Sequence, residues 1–170
     1  MTMYAIVAAR RCAGAVLAAG WLAFGPVPAA VAAEPAATTL VRCSGSFGMT
    51  VGGFVGDAQG SGDLTCTAPG RPDITSAEIR MRGSFSVSGS TVTTETQDTL
   101  TFNTGETTAL EMTRTFVTNA GQASESGSGT TTSGAFHPAT ETESGSGTAR
   151  SGGDVTIFTI DQGFTAELQR

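Results

Sequence analysis

From Val41 onward, apolar residues recur at every second position over most of the chain. Val41, Cys43, Gly45, Phe47, Met49 and Val51 share one parity, while Arg42, Ser44, Ser46 and Thr50 take the other. Successive side chains of an extended chain point to opposite faces, so this alternation calls for half-buried strands and is incompatible with an amphipathic helix. Gly62, Leu64, Cys66 and Ala68 repeat the pattern after a glycine-rich stretch, "GDAQGSGD", that reads as a turn. Ile79, Met81, Gly83, Phe85 and Val87 follow in the clearest strand, with Glu78, Arg80, Arg82, Ser84 and Ser86 facing outward.

"SGS" at 88–90 turns the chain into "TVTTETQDTLTFN", where Val92, Leu100 and Phe102 share parity. Thr94, Thr96 and Asp98 lie on that same parity. An unbroken strand would carry them inward and make part of the interior polar, which suits a small-ligand cavity; a β-bulge near Glu95 would turn them out. Leu110, Met112 and Phe116 define a fifth strand. "ESGSGTTTSG" from Glu125 and "ESGSGTARSG" from Glu143 form an approximate repeat whose spacing fits one hairpin around "AFHPA", the competing reading being a mobile Ser/Gly linker. "DVTIFTID" and "GFTAELQ" read as a closing hairpin across Asp161, Gln162 and Gly163.

Strands joined by short turns favour an antiparallel meander. The expected fold is all-β: a small barrel of about eight to nine strands, with a β-sandwich as the alternative. Closure favours the barrel because it removes the open edges of a threonine-rich sheet. Phe47, Phe85, Phe102, Phe116 and Phe158 are the expected centre of the core.

The first 33 residues have the layout of a secretory leader: Arg10 and Arg11, an apolar run from Cys12 to Phe24, then small residues to Ala33. The expected organisation is a signal peptide over 1–33, a flexible N-terminus over 34–38, and one all-β domain over 39–170. Secretion is the expected location, with no stable membrane insertion once the leader is removed. Cleavage would take Cys12 away and leave Cys43 and Cys66 alone in an oxidising compartment, so a disulfide between them is expected. On the chain-entropy account it would stabilise the fold by roughly 3.5 kcal/mol.

Composition narrows the function. The nine basic residues are all arginine and the acidic residues number fifteen, so nothing draws this chain to nucleic acid or anionic lipid. His137 is the only histidine, no Gly-x-Ser-x-Gly occurs, and "GDAQGSGD" lacks the lysine of a phosphate loop and the ligand spacing of a calcium loop. No catalytic residue, metal site or cofactor is therefore expected. Glu125, Glu141 and Glu143 would come together if the repeats pair, forming an acidic cluster of the kind a glycoside hydrolase uses. Trp21 and Tyr4, the chain's only sugar-stacking aromatics of that type, leave with the leader, so solvated strand faces are the expected role of these glutamates. What remains is a non-catalytic barrel whose partner is an unknown small ligand or a component of the cell envelope.

Cys-x-Gly in the first strand, "GSGDLTC" at 60–66 and the Thr-rich strands that follow resemble small exported β-proteins of high-GC Gram-positive bacteria. That resemblance implies an exported β-domain over about residues 39–168 and implies no activity. The Thr, Ser and Gly content is also similar to streptavidin-like barrels, but their biotin pocket is walled by tryptophans, and the chain beyond the leader has none.

Overall fold

The computed structural model describes residues 37–52 and 56–170, and the leader expected over 1–33 lies outside them. Residues Pro35–Arg170 form one compact unit. The alternation produces eight strands: β1 (Thr39–Gly52), β2 (Asp57–Thr67), β3 (Ser76–Ser88), β4 (Thr91–Phe102), β5 (Thr107–Asn119), β6 (Gln122–Gly134), β7 (Thr140–Gly152) and β8 (Val155–Gln169). Each pairs antiparallel with its neighbour and β1 pairs with β8, so the meander closes into a barrel. The sandwich alternative does not occur. Cys43 sits directly opposite Cys66 in the β1–β2 register and is bonded to it, with both residues buried.

Several expectations need correction. "GDAQGSGD" belongs largely to β2, with Ala58 wholly buried. Glycine serves there as a flat strand residue: a Cβ at Gly62 would lie 2.6 Å from the Cβ of Phe47, its cross-strand partner. The final segment is one strand rather than a hairpin. Asp161, Gln162 and Gly163 form a bulge, so that Gly45 pairs with Phe164 while Phe47 pairs with Ile160. The extra residues keep both Ile160 and Phe164 inside. Val87 keeps inward parity but extends past the ring and is 61% exposed, and Phe85 is only half-buried. The Ser/Gly repeat is ordered as β6 and β7 rather than forming a linker.

The two ends of the barrel differ. At one end the connection between β2 and β3 folds inward with Ala68 and Ile74 buried, and Phe102 meets Phe136 edge to face at 5.4 Å. Arg71 ties that connection to Glu106 at 2.5 Å. The other end, where the turns at 89–90, 120–121 and 153–154 lie, is the mouth.

The interior is two-sided. Phe47, Met49, Leu64, Ile79, Met81, Phe158, Ile160 and Phe164 make an apolar wall from β8, β1, β2 and β3. Every buried polar or charged side chain among the described residues lies on β4 to β7: Thr94, Thr96, Asp98, Thr108, Arg114, Glu125, Thr131, Glu141 and Glu143.

Candidate functional site

β4 is unbroken: its pairings with β3 and β5 run without a shift, so Thr94, Thr96 and Asp98 point inward and are buried. The repeats pair as β6 and β7, placing Gly127 opposite Glu143 and Gly129 opposite Glu141. Glu125, Glu141 and Glu143 thereby enter the barrel from the far side, where they are buried rather than solvated. The inward parity of the repeats carries them there. Gly127 leaves the space: a Cβ on it would lie 2.6 Å from Glu143 Oε1. The two sets of residues singled out in the sequence thus belong to one cluster.

Arg114 joins them, and sequence reasoning passed over it. It lies between Met112 and Phe116 on the same parity, so alternation alone places it inside; its charge was the reason to look elsewhere. Fully buried, its guanidinium donates to Asp98 Oδ2 at 2.5 Å, to Thr96 Oγ1 at 2.8 Å and to Glu143 Oε2 at 3.2 Å, and its Nε faces Glu143 Oε1. The ring of Phe47 lies 5.9 Å from the guanidinium carbon. Burial opposes the charge on Arg114, but Glu143 and Asp98 outweigh it and raise the pKa above its ordinary value. The space that Thr94, Thr96 and Asp98 face is filled by this side chain.

Glu125 and Glu141 have no such partner. Burial, then repulsion by Glu143, pushes the Glu125 carboxyl up to about 9, and the same two causes push Glu141 up to about 8. Both therefore hold a proton at neutral pH. Both oxygens of Glu125, Oε2 of Glu141 and the hydroxyls of Thr94 and Thr108 find no hydrogen-bond partner within the protein. Among the described residues no group of three His, Cys, Asp or Glu is placed to hold a metal ion. The cluster can store protons and fix the packing of the polar wall. The cluster is closed to solvent.

Accessible concavities lie elsewhere. At the mouth, Val51, Phe85, Val92 and Phe158 form the floor of a depression of about 340 Å³, with Ser90, Thr118 and Asp154 on its walls. Phe158 stacks on Phe116 at 4.4 Å beneath it, above the charged cluster. A larger trough of about 790 Å³ runs over the outer face of β3 to β6. His137 is exposed in the turn between β6 and β7, where its Nδ1 lies 3.0 Å from the Thr131 carbonyl oxygen. Comparisons with protein families, with curated proteins and with solved structures find no match to this chain.

Proposed function

We propose that this chain is an exported, non-catalytic binding barrel that takes a small, largely apolar ligand at its mouth. One observation carries the reading: one end of the barrel is plugged, while the other opens onto a depression floored by Val51, Phe85, Val92 and Phe158. An apolar floor with a few polar groups around it, at the mouth of a barrel, is the usual form of a small-molecule site. The buried disulfide and the leader-like first 33 residues support export. Burial of the acidic cluster supports a non-catalytic role, since no substrate reaches Glu143 without opening the barrel.

The test is binding of an environment-sensitive apolar dye, followed by its displacement with metabolite fractions and native mass spectrometry of the retained species. Phe85→Ser removes a half-buried ring from the floor, and a loss of dye affinity of about tenfold is expected. A protein that retains neither dye nor metabolite overturns the reading. So does dye binding unchanged by Phe85→Ser.

A further inference from the structure

The outer face of β3 to β6 carries an ordered charge pattern. Arg82, Gln97 and Glu111 stand opposite one another on β3, β4 and β5, and Ser84, Glu95 and Thr113 form the next outward row. Between the rows lie two glycines, Gly83 and Gly129, that sit tightly against the neighbouring strands. A Cβ on Gly83 would lie 1.9 Å from the Glu95 carbonyl oxygen, and one on Gly129 would lie 2.2 Å from that of Glu111. These rows line a trough of about 790 Å³.

Among the described residues Arg82, Glu95 and Glu111 make no ion pair, although the exposed Arg42, Arg71 and Arg80 each pair with a carboxylate. The trough thus offers one free cation on β3 and two free anions on β4 and β5. Adjacent strands lie about 4.8 Å apart, which separates the backbones at Arg82 and Glu111 by about 10 Å. An extended chain advances about 3.4 Å per residue, so about three residues span that distance.

We propose that this trough is a site for a short peptide with free termini, its carboxylate on Arg82 and its ammonium group between Glu95 and Glu111. Ser84, Gln97 and Thr113 supply hydrogen bonds along the peptide between its ends. The trough shares no residue with the mouth, so the two sites stand or fall separately. Closure of the barrel leaves no free strand edge, so side chains rather than backbone pairing must do the recognition.

The test is titration of the protein with trialanine, read by backbone amide NMR shifts. Shifts are expected along the trough on β3 to β6. N-acetylation of the peptide, amidation of its C-terminus, Arg82→Gln and Glu111→Gln should each weaken binding about fivefold, and added salt should weaken it further. Arg150→Gln, at an exposed arginine outside the trough, should leave binding unchanged. These substitutions are on the surface, and circular dichroism of each variant checks that the fold is kept. Absence of shifts, shifts centred on the mouth, or equal binding of capped and free peptides overturns the proposal.

Discussion

Arg114→Met asks what the buried guanidinium contributes. The wild-type side chain is wholly buried and faces two buried carboxylates, Asp98 and Glu143. Methionine fills most of the volume but leaves both carboxylates without a counter-charge, and breaking a buried pair in this way costs about 3–5 kcal/mol. For a domain of this size one kcal/mol moves the melting temperature by about 3 °C, so a fall of about 10–15 °C is expected. The cost is one of charge. Asp98→Asn and Glu143→Gln added to Arg114→Met remove the stranded charges and should restore most of the loss. Because Trp21 and Tyr4 lie in the expected leader, denaturation is best followed by far-ultraviolet circular dichroism. A loss below about 1 kcal/mol would refute the reasoning, as would a triple variant no more stable than Arg114→Met alone.

Three further predictions concern the same interior. Glu125 and Glu141, raised to about 9 and about 8 from an ordinary 4.5, hold protons in the fold that the unfolded chain releases. Their contribution is full below about pH 4.5 and is lost as pH rises to 8–9. Urea midpoints should therefore fall from pH 5 to pH 8, Glu125→Gln should flatten the slope, and a midpoint that rises over this range counts against the buried cluster. Replacing both Cys43 and Cys66 by Ser should cost roughly 3.5 kcal/mol by denaturant titration, and mild reductant without denaturant should leave the bond intact because both residues are buried. Gly62→Ala should cost about 2–3 kcal/mol, since its Cβ would lie 2.3 Å from the Ser46 carbonyl oxygen and a strand must move; a neutral result would refute the tight register.

Much of this architecture was legible in the residues themselves. Alternation identified the strands, and parity put Cys43 beside Cys66 and carried Thr94, Thr96 and Asp98 inward. It failed where composition mimics a turn: Asp161-Gln162-Gly163 is a bulge within β8, and the glycines near residue 60 belong to a strand whose partner needs their space. Parity also cannot tell where a strand outruns the ring, as at Val87. For the cluster, the obstacle was an energetic prior. Charged residues are almost never fully buried unless paired, so Arg114 and the glutamates were assigned to solvent or passed over, although their parity matched that of their apolar neighbours. The β4–β5 pairing brings Asp98 within reach of Arg114, and the β6–β7 pairing brings Glu125, Glu141 and Glu143 to the same interior.

The covalent link has a consequence set by where it falls. It joins β1 to β2, which follow one another in sequence, and not β1 to β8, whose meeting turns an open ribbon into a cylinder. That seam joins segments more than a hundred residues apart and is held by backbone hydrogen bonds, by the Arg42–Glu167 ion pair at 2.6 Å and by inward packing such as that of Phe47 on Phe164. Wherever heat or force opens the cylinder, the stapled β1–β2 hairpin stays joined. The last strand thus acts as a clasp, closing the ring through its long register with the first while the only covalent staple lies elsewhere among the described residues.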